Sequence, residues 1–125
     1  MRKPLRVSVV VPVINGDGLA DLLEWLTDVN EGFLAENPWT PPLYSSGVRY
    51  REEPPGTEEF CAIPDVLRRG WGDCDDLAPW RAAELRLCGE EATAEPVHMG
   101  DGLWHVVVRR ADGSIEDPSA LLGMR

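Results

Sequence analysis

Trp71-Gly72-Asp73-Cys74-Asp75-Asp76-Leu77-Ala78 is the segment from which the architecture can be built, because a cysteine there opens a helical pattern directly after a glycine turn. Further along the chain, His105 begins a strand pattern and Asp117 follows the next turn. This is the order of a nucleophile, a base and an orienting acid. A thiol is a weak nucleophile until a base takes its proton, and the base works best when a third group fixes its tautomer. The sequence therefore predicts a triad of Cys74, His105 and Asp117.

The helix after the cysteine is predicted to cover about 75–88 and to be closed by Gly89. Pro79 constrains where this helix begins, since proline is harmless only in the first turn, where its missing N–H would have no intrahelical partner. Either Asp75 or Asp76 is therefore the N-cap, or the helix is kinked at the proline. In each case the cysteine lies at the N-terminal end of the helix.

The surroundings of this thiol contain opposing effects. Unpaired N–H groups and the positive end of the helix dipole favour the thiolate, and the same N–H groups could hold an oxyanion. The carboxylates of Asp73, Asp75 and Asp76 raise the pKa of the thiol unless they point away or cap the helix. The sequence therefore predicts that His105 supplies much of the activation.

The length of the hairpin turn tests whether His105 and Asp117 can meet. Side chains alternate between the two faces of a strand, so a two-residue turn would place these two residues on opposite faces. A three-residue loop at 111–113 pairs position 105 with 119 and 107 with 117, which puts both side chains on one face and within reach. Such loops favour a left-handed residue at their third position, and Gly113 is there. We therefore predict the three-residue loop.

The remaining elements follow from periodicity and from turn residues. The sequence predicts a buried strand at 5–14, a turn at 15–18 and a helix whose apolar positions run from Leu19 to Leu34 and which ends before Pro38. Further predictions are a loop at 38–47, a short strand at 48–51, a loop at 52–56, a short helix at 64–69 before Gly70, and strands at about 92–98, 103–110 and 114–117.

Length, charge and cysteine content restrict the class of protein. The chain of 125 residues predicts a single domain over 1–125, in which 1–60 contains the N-terminal strand and the long helix and 61–125 contains the catalytic motifs. A net charge of −10 argues against nucleic acid and anionic membranes as partners. Three cysteines without CxxC spacing argue against a disulfide framework and a zinc site. This content favours a reducing, cytoplasmic location, and no segment reaches a transmembrane length.

The other cysteines and histidines have plainer interpretations. Cys61 and Cys88 are predicted to be small buried hydrophobic residues. His98, beside a glycine turn, is predicted to be exposed. His105 could also be a core histidine with satisfied hydrogen bonds, and Asp117, which precedes a proline, could be only a turn aspartate.

In these motifs the chain resembles the transglutaminase-like superfamily, whose members share the papain-like cysteine fold. The matching positions are Gly72, Cys74, Asp76 and Ala78 at the helix start, Arg86, Gly89 and Ala92 at its end, the pair Trp104-His105 on a strand, and Asp117-Pro118 after the next strand. The match covers 70–119. The compact form, with Asp-Pro-Ser after the last strand, is similar to small proteins encoded by tailed bacteriophages and prophages.

The resemblance implies that Cys74 is the nucleophile, His105 the base and Asp117 the orienting acid in chemistry on acyl groups. Papain-like enzymes also place a glutamine before the nucleophile as an oxyanion donor, and this chain contains no glutamine. Trp71 or Asn30 could take that part. No metal or organic cofactor is implied.

Together these points predict an α+β fold with a papain/transglutaminase-like core, in which helices pack on a small antiparallel sheet and the nucleophilic cysteine lies at a helix N-terminus. The expected function is that of a cysteine peptidase or amidase that hydrolyses a peptide or isopeptide bond. A non-catalytic phage assembly or adaptor protein that retains the fold is the alternative, and a protein-crosslinking transglutaminase is a second one. The expected partner is a protein or peptide substrate or a phage structural protein, in the host cytoplasm or in the virion.

Overall fold

Helices and short strands alternate along the chain in a computed structural model that describes residues 8–11, 16–54, 58–100 and 103–124. The described helices are α1 (Gly16–Glu36), α2 (Ile63–Arg69), α3 (Cys74–Leu87) and α4 (Pro118–Leu121), with a 3₁₀ turn at Leu43–Ser45. The described strands are β1 (Ser8–Val11), β2 (Arg49–Tyr50), β3 (Glu58–Cys61), β4 (Trp71–Gly72), β5 (Thr93–His98), β6 (Trp104–Arg109) and β7 (Ile115–Glu116). The mixed α+β class is therefore confirmed.

The strands form three small sheets rather than the single antiparallel sheet that we predicted. β5, β6 and β7 form a three-stranded antiparallel sheet in the order of the chain, and β1 pairs antiparallel with β3. β2 and β4 pair in parallel, with Arg49 opposite Trp71 and Tyr50 opposite Gly72. Strands of two residues are too short to show alternation in the sequence, so the parallel pair could not be predicted from the pattern.

One face of the β5–β6 hairpin is covered by the two long helices. The buried residues of this core lie on α1, α3 and on alternate positions of the two strands, and they include Leu19, Leu23, Leu26, Ala78, Ala82, Ala94, Val106 and Val108. Of the positions between them, Thr93, Val97 and Arg109 are exposed, Glu95 and His105 are half-buried, and Val107 is buried. The sheet therefore has one apolar face toward the helices and one face that is largely open, as an antiparallel sheet allows.

A second cluster buries the other side of α3. It is centred on Trp80, which is fully buried, and includes Leu43, Val66, Leu77 and Leu122. Since α3 has apolar neighbours on both sides, the position of its first residue is fixed by packing as well as by its own hydrogen bonds.

The N-terminal helix is longer than predicted. α1 begins at Gly16, so positions 16–18, which we expected in a turn, belong to its first turn. Of the strand predicted at 5–14, the structure describes β1, and the other positions lie outside the described residues. Within the described residues, no helix combines the length and the apolar character needed to cross a bilayer.

Leu26 gives a direct test of the first core. Leu26 lies on α1, and its side chain is fully buried within that cluster. We expect Leu26→Ala to lower the free energy of unfolding by about 2–5 kcal/mol, because the substitution removes buried methyl groups and leaves a cavity. Leu87→Ala is the matched control, since Leu87 is also helical but 47% exposed. Urea unfolding of both variants checks this prediction, and equal losses would contradict the assignment of the core.

Candidate active site

The N-terminus of α3 is closed by a capping box. Asp73 is the N-cap, its side chain accepts from the backbone of Asp76, and the Asp76 side chain accepts from the Asp73 N–H at 3.1 Å. Cys74 is therefore the first residue of the helix. The prediction that Asp75 or Asp76 is the N-cap was wrong, because the reciprocal bonds of the capping box start the helix earlier. Pro79 lies inside α3 and forgoes the bond to the carbonyl of the residue four positions before it.

A buried ion pair anchors this helix start. The Asp76 carboxylate is fully buried and accepts from an Arg69 guanidinium N–H at 2.7 Å and from the Cys61 N–H at 2.7 Å. Arg69 also donates to the Trp71 carbonyl at 2.8 Å and to Glu59 at 3.1 Å. These hydrogen bonds connect α2, β3 and β4 to the first turn of α3, which carries the thiol.

The thiol of Cys74 lies against the backbone of β6. Across the hairpin turn, the Arg110 N–H donates to the Ser114 carbonyl at 2.8 Å. Bonding positions recur at every second residue of an antiparallel strand, so the Val106 N–H also points toward the side of β7. β7 ends at Glu116, which leaves this N–H without a strand opposite it, and the N–H lies close enough to Cys74 Sγ to lower the pKa of the thiol. The thiol therefore sits beside the residue that follows His105.

His105 and Asp117 form the contact that the hairpin argument predicted. Val108 pairs with Glu116, which is the register of a three-residue loop, and Gly113 has a φ of 86°. His105 Nε2 lies 2.9 Å from Asp117 Oδ2. The predicted loop, and the placement of both side chains on one face, are confirmed.

The second oxygen of Asp117 fixes the orientation of its carboxylate. Asp117 is the N-cap of α4, and its Oδ1 accepts from the Ala120 N–H at 3.3 Å. Because a carboxylate oxygen can only accept, this contact favours a proton on Nε2 of His105, and in that tautomer the lone pair is on Nδ1. Nδ1 is thus the nitrogen that can take a proton from a thiol.

The hydrogen bond between base and nucleophile is not formed in this structure. In the described part of the chain, no hydrogen bond joins Cys74 Sγ to the imidazole of His105. Catalytic hydrogen bonds are often long in unliganded sites and tighten when substrate binds. The three predicted residues are brought to one end of the sheet, with two of them in direct contact.

Burial raises the pKa of the Cys74 thiol, and the charges of Asp75 and then of Asp73 raise this pKa further. The Val106 N–H acts in the opposite direction and lowers the pKa. Of the opposing effects on the thiol pKa that we expected, those that raise it are the stronger. The thiol is therefore neutral at rest. Attack on a carbonyl requires a base that removes the proton during the reaction.

The two residues considered as oxyanion donors are engaged elsewhere. The Trp71 ring lies beneath the guanidinium groups of Arg69, at 3.7 Å from the ring centroid, and Arg51, at 5.1 Å. Asn30 is fully buried, and its Oδ1 accepts from the Ile63 N–H at 3.0 Å at the start of α2. A role of Trp71 as a hydrogen-bond donor to the oxyanion stays a prediction.

The backbone at the helix start is also occupied. The Cys74 N–H donates to Asp73 Oδ1 at 2.6 Å, so this N–H, which we expected to be available for an oxyanion, is already used. Among the described residues, Glu53, Asp73 and Asp75 are the acidic groups whose oxygens approach within 4.8 Å of one another, as a metal site would require. Asp73 Oδ2 accepts from the Glu53 N–H at 3.1 Å, so part of this cluster serves the local fold.

Two features of the site were missed from the sequence. The approach of the Val106 N–H to the thiol depends on where β7 ends. The parallel pairing of β2 with β4 brings Tyr50 opposite Gly72, two residues before Cys74. Neither feature has a local sequence signal, because each depends on contacts between distant parts of the chain.

Comparisons with protein-family models, with curated proteins and with solved structures found no match.

The cysteines differ in exposure in a way that the sequence did not predict. Cys61 is buried, as expected, but Cys88 is exposed at the end of α3, so its predicted burial was wrong. Cys88 directly follows Leu87, which is itself 47% exposed at the end of the helix. Cys74 is intermediate in exposure, and Cys88 will therefore react first with a small alkylating reagent.

We expect iodoacetamide to modify native Cys88 first, Cys74 more slowly and Cys61 last. A cysteine in an unfolded chain has a pKa of about 8.5, so its alkylation rate levels off once the pH is well above that value. Because burial and two aspartates raise the pKa of Cys74, its rate should continue to rise with pH beyond that point. Mass mapping of alkylated peptides, with the protein in urea as the control, checks the prediction. A Cys74 rate that levels off near neutral pH would contradict it.

Proposed function

We propose that the protein catalyses thiol-dependent acyl transfer, namely hydrolysis of a peptide or isopeptide bond, as a small member of the transglutaminase-like superfamily with a papain-like core. Cys74 is the nucleophile, His105 the base and Asp117 the orienting acid. The observation that carries the proposal is the 2.9 Å contact between His105 Nε2 and Asp117 Oδ2 beside the Cys74 thiol. The spacing and order of these residues in the resemblance described above support it.

The reaction uses only water besides the substrate. Cys74 Sγ attacks the carbonyl carbon while its proton passes to His105 Nδ1, and the carbonyl oxygen becomes an oxyanion. The C–N bond breaks as the imidazolium gives this proton to the leaving amine. A water molecule then transfers a proton to Nδ1 and attacks the thioester. The S–C bond breaks, Nδ1 returns this proton to the sulfur, and the acid product leaves the regenerated enzyme.

Because the resting thiol is neutral, the proposed mechanism is general-base catalysis. The Asp117 carboxylate stabilises the imidazolium that forms, and the Val106 N–H stabilises negative charge on sulfur. Three free cysteines are compatible with action in a reducing compartment such as a host cytoplasm.

Turnover of p-nitrophenyl acetate tests the proposal. In a Cys88→Ser background, which removes the exposed thiol, we expect catalytic release of nitrophenol that disappears in Cys74→Ala. A fluorescent primary amine, present in the assay with a peptide substrate, shows whether the acyl group is transferred to water or to an amine. A crosslinking enzyme would incorporate the amine, and a hydrolase would release the free acid. An equal rate of nitrophenol release with and without the Cys74→Ala substitution would contradict the proposal.

A non-catalytic assembly or adaptor protein is the second candidate. The raised pKa of Cys74 and the engagement of its N–H by Asp73 favour it, since both weaken a nucleophile and its oxyanion site. It predicts a protein without Cys74-dependent turnover.

A further inference from the structure

The chain has two tyrosines, and they are used differently. The Tyr44 hydroxyl donates to the Glu116 carboxylate, which also accepts from Arg81 of α3. Tyr50 is half-buried, and in the described part of the chain its hydroxyl has no hydrogen-bond partner. This hydroxyl is not among the buried unpaired polar atoms of the described residues, so it is open to solvent and to a bound substrate.

The parallel pairing of β2 with β4 places Tyr50 at the start of α3. Tyr50 is in register with Gly72, two residues before Cys74, and residues in register on neighbouring strands project to the same face. A Cβ on Gly72 would meet Leu77 at 3.0 Å and Asp76 at 3.2 Å, so this face looks onto the first turn of α3. The Tyr50 side chain packs against the second cluster, to which Leu77 belongs.

The charges that act on the phenol agree with this direction. Burial raises the pKa of Tyr50 most, followed by the charge of Asp73, by Cys74 in its ionised form, and then by the charges of Glu52 and Asp75. The phenol is thus within electrostatic reach of the start of α3. With its pKa raised, the hydroxyl is protonated at neutral pH and is a hydrogen-bond donor there.

We propose that Tyr50 is a further catalytic residue, whose hydroxyl donates a hydrogen bond to the oxyanion formed when Cys74 attacks a carbonyl. This inference rests on the proposed function. The site needs such a donor because the chain has no glutamine, the Cys74 N–H is bound to Asp73, and Asn30 is bound to Ile63. A neutral donor suits the part, since it can stabilise an oxyanion without adding charge beside the thiol.

Two reactions of the Cys74 thiol distinguish oxyanion binding by Tyr50 from an effect of Tyr50 on the thiol itself or on the fold. Acetylation of Cys74 by p-nitrophenyl acetate passes through a tetrahedral oxyanion, whereas alkylation by iodoacetamide does not. In the Cys88→Ser background, we expect Tyr50→Phe to lower the rate of acetylation by about 10²-fold, the effect of losing one oxyanion donor, and to leave the rate of alkylation unchanged. Tyr44→Phe is the matched control and should change neither rate.

The outcomes distinguish the two proposals. Equal acetylation of wild type and Tyr50→Phe would overturn the role of Tyr50 and leave the proposed function intact. A parallel fall of both rates would also overturn it, because the phenol would then act on the thiol or on the fold. If Cys74 of the wild type is alkylated but never acetylated, the proposed function fails and the role of Tyr50 fails with it.

Discussion

Asp117→Asn should lower the rate of Cys74-dependent acyl transfer by about 10⁴-fold, a loss on the scale seen when the orienting acid of a triad becomes an amide. The Asp117 carboxylate accepts the proton of His105 Nε2, which keeps the lone pair on Nδ1 and stabilises the imidazolium. An amide can offer an N–H to Nε2 and so stabilise the opposite tautomer, in which Nδ1 already carries a proton.

The same substitution should leave the fold intact. Asp117 also caps α4, and asparagine caps helices about as well as aspartate does. Asp112→Asn is the matched control, because Asp112 lies in the same hairpin, where it accepts from the Ser114 N–H at 2.9 Å. Rates with p-nitrophenyl acetate and thermal melts of both variants check the prediction. An Asp117→Asn enzyme with the wild-type rate would show that the contact is structural only.

Arg69→Met should lower the free energy of unfolding by about 3–5 kcal/mol, the usual cost of leaving one partner of a buried ion pair alone. The Asp76 carboxylate is fully buried, and the Arg69 guanidinium 2.7 Å away is its cationic partner. The long apolar chain of methionine retains much of the packing of the arginine stem, so the lost charge dominates the effect.

A more exposed ion pair provides the control for Arg69. Arg109 pairs with Glu95 at 2.7 Å, and the two side chains are 49% and 34% exposed. Exposed ion pairs contribute about 0–1 kcal/mol, so Arg109→Met should change the stability little. Urea unfolding of the two variants measures the difference, and equal losses would contradict the assigned importance of the buried pair.

The loss in Arg69→Met should depend on pH. Burial raises the pKa of Asp76, and removal of the guanidinium takes away a charge that lowers it. The carboxyl of the folded variant therefore stays protonated at pH values where the unfolded chain, with a pKa of about 3.9, is ionised. In the folded wild type the pKa of Asp76 is also raised, and in the variant it is higher still, so the extra destabilisation should appear above the folded pKa of the wild type and grow until the pH passes that of the variant. A loss that is constant between pH 3 and 8 would contradict this.

The hairpin shows what the sequence could predict. Side chains on a strand alternate with a period of two, so loop length alone decides whether His105 and Asp117 meet, and Gly113 indicates the loop. The existence of α1 and of α3 followed from apolar periodicity in the same way. Local rules were sufficient where one strong pattern determined the geometry.

Where two local rules compete, the sequence misled us. The restriction on proline favoured a later start for α3, but the capping box of Asp73 and Asp76 and the buried pair with Arg69 outweigh the bond lost at Pro79. Cys88 follows Leu85 and Leu87 near the end of the helix and looked buried, yet it is exposed. Tertiary contacts decided both cases.

The surroundings of the thiol could not be predicted for a different reason. Tyr50 and the Val106 N–H approach Cys74 from elements that are distant in sequence, and β2 and β4 have only two residues each. No periodicity exists over such lengths, and parallel pairing carries no local turn signal.

Identification of the acylated residue tests the triad itself. The Cys88→Ser protein is mixed with p-nitrophenyl acetate, quenched with acid early in the reaction, and mapped by mass spectrometry of its peptides. The triad predicts one acetyl group on Cys74, and far less of it in His105→Ala, because the neutral thiol then has no base. Acetylation of Cys74 that is equally fast without His105, or acetyl groups only on other residues, would contradict a catalytic Cys74–His105–Asp117 triad.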